Sequence, residues 1–522
     1  MMTPIMNLGQ ILTAQAQLQP DRIGARDLSR AMSFKLWNER TCRLANALLG
    51  LGLVKGDRFG VLAWNRIEWL EIYVAAAKAG IVAVPINFRL VASEIKFILE
   101  DCSVCAVIAE EGLQNAIDEI RDDLNIPDSR FIHLGADQPP NGWRPYEGMI
   151  KEAKASEPDA VVSISDPWCL MYTSGTTGKP KGAIRGHGGI SLLAMMTEIE
   201  LGIDWRDEAL LVMPMCHANS LYFFASFLYC GAPTNIFSRP SFDPELCLRT
   251  FSDTSATFTS LVPSQYEMML DARRTAGDFG QVRKLMISSA PARVETKQNI
   301  MEMFPNSGLF ELYGSTEAGW VTMLHPDEQF DRLGTVGREV VGSLPIRFLD
   351  DDGNDVADGE PGELYSCAPY AFDGYWNLPE KTKEAFRGNY LTVGDVALRD
   401  ENGFIHLIDR KKNMIISGGE NIYPTEVEAV VARHPGVQDC AVVGMPDDRW
   451  GERVTAAVVL RSGVDLSGQD VMDWCRGRIA GFKRPREITF LAPGEIPRTA
   501  TGKIQHGALR DLLAEQTASD KS

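Results

Sequence analysis

The stretch from 172 to 182 carries side chains and backbone suited to binding a polyphosphate. It reads Tyr172-Thr-Ser-Gly-Thr-Thr-Gly-Lys-Pro-Lys-Gly182, with hydroxyls, glycines and lysines in close succession. Glycines let backbone N–H groups approach a ligand closely, and such groups bind phosphate oxygens together with hydroxyls and lysines. Short apolar runs at 168–172 and 183–184 predict a strand–loop–strand arrangement. The candidate phosphate ligands are Thr173, Ser174, Gly175, Thr176, Thr177, Gly178, Lys179 and Lys181.

This loop does not follow the usual phosphate-loop pattern G-x-x-x-x-G-K-[ST]. Lys179 is followed by Pro180 rather than by serine or threonine, and the position five residues before Gly178 is Thr173 rather than glycine. A kinase or GTPase is therefore disfavoured, and a different nucleotide chemistry has to be sought.

The composition restricts the class of protein. A chain of 522 residues is expected to form two or more domains. The net charge of −18 argues against nucleic acid as a partner, because phosphate backbones are bound by basic surfaces. The ten cysteines are scattered, no secretory signal is visible, and no run approaches the length of a membrane span. We therefore expect a cytoplasmic protein with reduced thiols and no membrane span.

The coarse pattern of the chain predicts an α/β fold. A strand-like run at 58–63, a helical run at 68–79 and a strand-like run at 80–85 alternate as in a parallel α/β sheet. Residues 135–160 are rich in proline, glycine and acidic residues, which predicts an irregular linker. From 334 onward the chain is rich in short strand-like runs separated by Gly, Asp and Pro.

The 172–182 loop resembles the signature of the adenylate-forming superfamily, which includes acyl- and aryl-CoA synthetases, luciferases and peptide-synthetase adenylation domains. Further motifs of that superfamily follow in order, including Tyr313-Gly-Ser-Thr-Glu317 and Pro497-Arg-Thr-Ala-Thr-Gly-Lys503. The resemblance implies a large N-terminal domain at 1–409, with parallel α/β subdomains and a small β-barrel-like subdomain. It also implies a hinge at 410–412 and a small mobile α+β domain at 413–522.

The resemblance assigns roles in forming an acyl-adenylate. It implies that Glu317 holds Mg²⁺, that Thr316 contacts the α-phosphate, and that Lys503 completes the adenylation site. Asp395 and Arg410 would hold the ribose. The residues implied at the adenine and its neighbouring turns are Ser289, Ala290, Pro291, Tyr313, Gly314 and Ser315.

The resemblance also assigns residues to the acid and to coenzyme A. His217 corresponds to a gate at the acyl pocket, and Lys412 occupies the hinge position. Coenzyme A would be contacted by Arg89, Gly418, Gly419, Lys483 and Arg484. A mainly apolar pocket with a polar spot is suggested by Met195, Met196, His217, Asn219, Tyr222, Phe223, Val262 and Trp320. Gly374-Tyr-Trp376 matches another motif of the superfamily, which we interpret as structural.

The implied activity is an ATP-, Mg²⁺- and coenzyme A-dependent carboxylate–CoA ligase. A carboxylate is a poor acyl donor, and adenylation gives it a phosphate leaving group that a thiol can displace. An enzyme that loads a carrier protein is the alternative, but the region 213–219 lacks the Phe-Asp pair of amino-acid adenylation domains. A non-catalytic ligand-binding relative and a luciferase-like oxidation also stay open. Medium-chain, alicyclic and aromatic acids are all compatible with the sequence, as is a homodimer.

Overall fold

The computed structural model describes residues 6–135, 138–173, 180–272, 279–288, 292–417, 420–447, 449–499 and 502–519. The backbone divides into two units. The first runs to Leu333 and also includes Gly337–Pro345 and Ser366–Leu391. The second comprises Gly334–Val336, Ile346–Tyr365 and the chain from Thr392 onward. The strands that follow residue 345 are thus shared between the two units.

One sheet of the first unit carries the phosphate-loop strands at its edge. Its neighbouring strands are, in spatial order, Arg144–Pro145, Phe131–Leu134, Ala106–Glu110, Arg58–Leu62, Val82–Ile86, Pro167–Thr173 and Lys181–Gly186. The pairs are parallel except for the last two strands, which form an antiparallel hairpin around the loop. The buried strand Pro167–Thr173 therefore ends where the predicted phosphate loop begins along the chain.

A larger sheet of the first unit carries the strand Gly308–Ser315, which contains the predicted adenine-binding residues Tyr313, Gly314 and Ser315. Its spatial order is Arg338–Glu339, Gly319–Leu324, Gly308–Ser315, Lys284–Ser288, Phe258–Leu261, Ala209–Leu211, Thr234–Ile236, Ile23–Asp27 and Ala31–Ser33. The six strands from Gly308–Ser315 to Ile23–Asp27 run parallel. Ligands bind beyond the carboxyl ends of such strands, and Ser260 and Ser288 lie at the carboxyl ends of two of them.

Helices cover these sheets in the first unit. They are Leu8–Leu18, Phe34–Gly50, Glu68–Ala79, Ala92–Asp101, Gln114–Asp118, Tyr146–Glu152, His187–Leu201, Ala218–Tyr229, Pro244–Asp253, Pro263–Asp271, Val294–Met303 and Pro379–Ala385. Glu68–Ala79 is buried along its whole length, because its apolar residues face more than one layer of the unit. Among the described residues, no helix combines the length and the apolar content needed to cross a bilayer.

The second unit contains antiparallel strands followed by an α+β arrangement. Gly362–Cys367 pairs with Asp395–Arg399, which pairs in turn with Ile405–Arg410. The C-terminal sheet has the order Glu420–Ile422, Ile415–Ser417, Gly451–Leu460 and Val437–Asp447, with Glu487–Phe490 parallel to Gly451–Leu460. Its helices are Pro424–Val431, Gly468–Trp474 and His506–Ser519.

The α/β prediction is confirmed, and one local prediction is wrong. The strand–helix–strand alternation appears as Arg58–Leu62, Glu68–Ala79 and Val82–Ile86, with the two strands parallel. The segment 135–160, predicted as an irregular linker, instead contains the helix Tyr146–Glu152. Its residues Tyr146, Met149 and Ile150 are buried, so packing against the first unit overrides the turn-forming composition.

Candidate active site

The phosphate-loop hairpin brings its first residue to the carboxylate predicted to hold Mg²⁺. The two strands that flank the loop pair antiparallel, with Thr173 opposite Lys181. The Thr173 hydroxyl donates a hydrogen bond to Oε1 of Glu317 at 3.1 Å. The hydroxyl of Tyr375 donates to the same oxygen at 3.0 Å, and Glu317 is 7% exposed. Two residues chosen from separate motifs are therefore in direct contact, with a third, Tyr375, that the sequence interpretation treated as structural.

The Tyr313–Ser315 segment is shaped by close backbone approach. The strand Gly308–Ser315 pairs antiparallel with Gly319–Leu324, and the register shifts between Tyr313 and Gly314. A Cβ atom on Gly314 would lie 2.3 Å from the carbonyl oxygen of Gly319, so no side chain fits at that position. The bulge leads directly into the turn that carries the predicted phosphate and metal ligands.

Arg185 is a residue of this site that the sequence interpretation missed. It is 1% exposed, and its Nη1 donates to the carbonyl oxygens of Thr316 at 3.3 Å and Glu317 at 3.2 Å. Its Nη2 donates to the carbonyl oxygen of Tyr370 at 2.7 Å, and its Cζ lies 5.0 Å from the ring centre of Tyr222. An arginine directly after the short apolar run Ala183–Ile184 was the signal available from the sequence.

Lys181 lies on the same side of the hairpin as the carboxylate. Its Nζ lies 4.0 Å from the ring centre of Tyr375. Partial burial lowers the pKa of Lys181 from its usual value, and the charge of Glu317 opposes that shift. Lys181 therefore loses its proton at a lower pH than an exposed lysine does. It lies near Glu317, the carboxylate predicted to bind Mg²⁺.

A helix face and a tryptophan make an aromatic cluster beside the Thr316–Glu317 turn. Asn219, Tyr222 and Phe223 occupy positions i, i+3 and i+4 of the helix Ala218–Tyr229 and so share a face. The ring of Trp320 lies 5.3 Å from Tyr222 and 5.1 Å from Phe223 between centroids. The Tyr222 hydroxyl donates to the carbonyl oxygen of Thr316 at 2.8 Å.

Polar side chains from three elements meet at the start of the same helix. The amide nitrogen of Asn219 donates to the hydroxyl oxygens of Ser260 at 3.0 Å and Ser288 at 2.9 Å, and the two hydroxyls are 3.4 Å apart. Within the described part of the chain, the buried Oδ1 atom of Asn219 has no hydrogen-bond partner. We refer to these three residues as the Asn219 cluster. Asn219 is among the residues from which the sequence analysis suggested an acyl pocket with a polar spot.

His217 and Arg89 lie in the first unit as well. His217 immediately precedes the helix Ala218–Tyr229, where its backbone N–H donates to the carbonyl oxygen of Pro214 at 3.0 Å. Arg89 is exposed in the loop after Val82–Ile86, with its guanidinium carbon 5.8 Å from the ring centre of Phe88.

The predicted ribose ligands meet in the second unit. Nε of Arg410 donates to Oδ1 of Asp395 at 3.0 Å across two paired strands. This pair orients the carboxylate, whose two oxygens are suited to accept hydrogen bonds from neighbouring hydroxyls. Lys412 follows in the short 3₁₀ helix Lys411–Asn413 and is exposed.

The residues around Lys503 are held by hydrogen bonds and an ion pair with other residues of the second unit. Arg498 forms an ion pair with Asp439 at 2.9 Å and donates to the carbonyl oxygen of Gly502 at 2.8 Å. The backbone of Lys503 exchanges hydrogen bonds with Thr499, while its side chain is exposed.

Lys483 and Arg484, predicted to contact coenzyme A, lie in the connection between the helix Gly468–Trp474 and the strand Glu487–Phe490. Lys483 forms an ion pair with Glu426, and Nε of Arg484 donates to the carbonyl oxygen of Gly481 at 3.4 Å. Several other predicted ligands fall outside the described residues: Ser174, Gly175, Thr176, Thr177, Gly178, Lys179, Ser289, Ala290, Pro291, Gly418 and Gly419.

The surroundings of Glu317 fit a divalent cation. One carboxylate oxygen is held by the hydroxyls of Thr173 and Tyr375, whereas Oε2 accepts no hydrogen bond from any residue that the structure describes. A hard cation such as Mg²⁺ binds carboxylate oxygens, and partners that fix one oxygen orient the other.

Comparisons with known proteins show the family to which the chain belongs. A family model described as "AMP-binding enzyme" matches residues 12–376, and one described as "AMP-binding enzyme C-terminal domain" matches residues 426–503. The chain is similar to a feruloyl-CoA synthase of Amycolatopsis sp, with 32% identity, covering 96% of this chain and 98% of the relative. It is also similar to the indoleacetate–CoA ligase of Aromatoleum aromaticum, with 32% identity over 99% of this chain and 100% of the relative.

The chain is also similar in structure to solved CoA ligases. The anthranilate–CoA ligase AuaEII in complex with anthranoyl-AMP matches with a TM-score of 0.89 and 26% identity, covering 99% of each chain. The superfamily predicted from the motifs is confirmed, as is the use of ATP, Mg²⁺ and coenzyme A. The chain belongs to the AMP-binding enzyme family and is an AMP-forming carboxylate–CoA ligase, which converts an acid to its acyl-adenylate and then to the coenzyme A thioester.

Proposed function

We propose that the acid is an aromatic carboxylic acid that carries a hydrogen-bonding substituent. The observation on which this depends is the Asn219 cluster, one helical turn from the aromatic face of Tyr222 and Phe223. Aromatic side chains favour flat, apolar ligands by offset and edge-on contacts, which an alkyl chain makes less well. The relatives named for ferulate, indoleacetate and anthranilate support the same class.

The hydrogen-bond inventory of the Asn219 cluster indicates the substituent. Both amide hydrogens of Asn219 are directed to serine oxygens, and one serine hydroxyl hydrogen is used between Ser260 and Ser288. One acceptor, Oδ1 of Asn219, and one serine hydroxyl hydrogen therefore remain. A group that both donates and accepts, such as a phenolic hydroxyl, satisfies the two together.

The adenylation step has a defined balance of bonds. A carboxylate oxygen of the acid attacks the α-phosphorus of ATP, the bond to the bridging oxygen breaks, and pyrophosphate leaves. In our proposal Glu317 holds the Mg²⁺, whose positive charge would neutralise part of the negative charge of the phosphates. Thr173, Lys181 and residues 174–179 hold the departing pyrophosphate, and Thr316 donates to the α-phosphate. Lys503 stabilises the negative charge that develops between the two reacting anions.

The thioester step transfers the acyl group from AMP to sulfur. The thiolate of coenzyme A attacks the carbonyl carbon, and AMP leaves with the former carboxylate oxygen. We assign Gly418 and Gly419 to the passage for the pantetheine arm, and Arg89, Lys483 and Arg484 to the nucleotide end. His217 sits at the acyl pocket, and Ser289–Pro291 with Tyr313–Ser315 hold the adenine.

The remaining parts of the proposal concern domains and assembly. We propose a hinge at 410–412 with Lys412 as the hinge residue, separating 1–409 from a mobile 413–522 domain, so that the two half-reactions use different arrangements. We also propose a cytoplasmic enzyme, in which the ten cysteines present as thiols are stable, and a homodimer, which light scattering would measure.

A panel of acids tests the substrate class. We expect the rate of AMP release at low acid concentration to be highest for hydroxylated aromatic acids, intermediate for the unsubstituted aromatic acids, and lowest for octanoate and cyclohexanecarboxylate. Asn219→Leu should lower kcat/KM for the hydroxylated acid by about tenfold to a hundredfold, because a buried polar group loses its partner. The unsubstituted acid should change little. A preference of the wild-type enzyme for octanoate would contradict the aromatic assignment while leaving the ligase activity established.

A further inference from the structure

Arg185 is a buried cation whose contacts are to backbone oxygens. No carboxylate oxygen of the described residues lies within 4.0 Å of its guanidinium, although the charge of Arg185 acts at longer range on the carboxyl of the exposed residue Asp373. Burial of an arginine without an adjacent carboxylate is costly, because the ion loses its hydration. A side chain held at that cost is expected to have a function other than stability.

The oxygens that Arg185 binds belong to the turn that the proposed mechanism uses. Thr316 and Glu317 lie between the strands Gly308–Ser315 and Gly319–Leu324, so their carbonyls have no partner in the sheet. The carbonyl of Thr316 accepts from both Arg185 and the Tyr222 hydroxyl. The carbonyl of Glu317 accepts from Arg185 and from the backbone N–H of Phe372 at 2.8 Å.

This network fixes the direction of the turn. A planar guanidinium that binds two successive carbonyls with one nitrogen, and a third carbonyl with the other, holds a single backbone geometry. Once the carbonyls of Thr316 and Glu317 are fixed, the directions of the Cα–Cβ bonds from which the hydroxyl and the carboxylate extend are fixed as well. Tyr222 belongs to the aromatic face of the acyl region, so the same network connects that face to the turn.

The charge of Arg185 adds to the effect of its geometry. Adenylation brings an anionic acid to an anionic nucleotide, and a fixed positive charge in a poorly hydrated environment stabilises the charge that develops. The carbonyls that Arg185 binds are themselves polarised by it, which strengthens the neighbouring N–H donors of the turn.

We propose that Arg185 is a positioning residue for adenylation, which holds the Thr316–Glu317 turn in its working geometry and couples it to the acyl region through Tyr222. The proposal rests on the roles proposed for Thr316 and Glu317. Arg185 itself acts through these residues, and its loss should affect the formation of the acyl-adenylate much more than its consumption.

The test measures both half-reactions in Arg185→Lys and Arg185→Met. ATP–pyrophosphate exchange reports the first step, and conversion of a synthetic acyl-adenylate with coenzyme A reports the second. We expect exchange to fall by about a hundredfold in Arg185→Met, the effect of a small misplacement of reacting groups, and by about tenfold in Arg185→Lys, which keeps the charge. The Mg²⁺ concentration for half-maximal exchange should rise in both variants, and the second step should change by less than about threefold.

Arg58 provides a matched control. Its guanidinium also donates to three backbone carbonyls, those of Gly56, Cys102 and Ser103, and lies 5.3 Å from the ring centre of Trp376. Arg58→Lys removes the same kind of guanidinium contact with several carbonyls, but at carbonyls that do not belong to the Thr316–Glu317 turn. It should lower thermal stability without changing the exchange rate or the Mg²⁺ requirement per folded molecule.

The outcomes separate this inference from the proposed function. Equal losses in both half-reactions of Arg185→Lys, with an unchanged Mg²⁺ requirement, would overturn the positioning role and leave a structural one. The positioning role would also be overturned if Arg185→Lys and Arg58→Lys had the same effect on the exchange rate and on the Mg²⁺ requirement. If Arg185→Met does not fold, the half-reaction rates and the Mg²⁺ requirement of Arg185→Lys are sufficient to test the positioning role. Wild-type exchange in Glu317→Gln would instead overturn the proposed role of Glu317, whatever the Arg185 variants do.

Discussion

Tyr375→Phe is the substitution that tests the proposed metal site with the least disturbance. It removes a single hydroxyl, which donates to Oε1 of Glu317 at 3.0 Å, and keeps the ring on which Nζ of Lys181 lies. Both Tyr375 and Glu317 are 7% exposed, so water replaces the lost donor poorly.

The expected magnitude follows from the kind of hydrogen bond. A hydrogen bond to a charged group contributes about 1.5–3 kcal/mol, and loss of a partner that orients a metal ligand typically costs about 10- to 100-fold in affinity or activity. Since about 1.4 kcal/mol corresponds to a factor of ten, the two ranges agree. We therefore expect Tyr375→Phe to lower kcat/KM for ATP in pyrophosphate exchange by about 10- to 100-fold and to raise the Mg²⁺ requirement.

Tyr146→Phe is the control for stability. The Tyr146 hydroxyl donates to Oε2 of Glu71 at 2.8 Å, both residues are buried, and Glu71 forms an ion pair with Arg40, which is not a residue of the proposed site. Each variant should lose about 1.5–3 kcal/mol in free energy of unfolding, measured by urea denaturation. Exchange per folded molecule should stay at the wild-type value in Tyr146→Phe. An unchanged Mg²⁺ requirement in Tyr375→Phe would refute the view that this hydroxyl orients a metal ligand.

Three further predictions concern other parts of the mechanism. His217→Ala should change the relative kcat/KM among acids and slow the thioester step, with little effect on the KM for ATP; equal losses for every acid together with weaker ATP binding would indicate a structural histidine. Because burial lowers the pKa of Lys181, its positive charge is lost as pH rises through that lowered value, so the KM for ATP should rise at a lower pH than an exposed lysine would give; Lys181→Arg should abolish this rise, and an identical pH profile would exclude Lys181 as its source. Lys503→Ala should slow adenylation by about a hundredfold while still converting a synthetic acyl-adenylate, and Lys412→Pro should do the reverse, because a fixed φ hinders rotation at the hinge; equal loss of both half-reactions in Lys503→Ala would contradict the division of labour.

The amino-acid sequence by itself determined the class of chemistry. The phosphate-binding character of 172–182 depends on which residues are neighbours along the chain, and the strand pairing on either side of it follows from the flanking apolar runs. The α/β class followed from alternating strand and helix periods, which are also local properties. The motif order then indicated the superfamily.

The sequence was misleading where packing competes with composition. The residues before Tyr146 are rich in proline and glycine, which indicated an irregular segment. The helix Tyr146–Glu152 forms because Tyr146, Met149 and Ile150 share a face and become buried against the first unit. A helix of this length has little stability of its own, so its formation depends on those tertiary contacts.

Only the tertiary structure decided which distant residues act on the Thr316–Glu317 turn. Arg185 reaches the turn because the phosphate-loop hairpin lies at the edge of its sheet, and Tyr375 reaches Glu317 because the 373–376 segment pairs with that edge. The Asn219 cluster forms because two parallel strands end where a helix begins. Such contacts depend on the order of strands in a sheet, and strand order is set by packing across the whole unit rather than by any local pattern of residues.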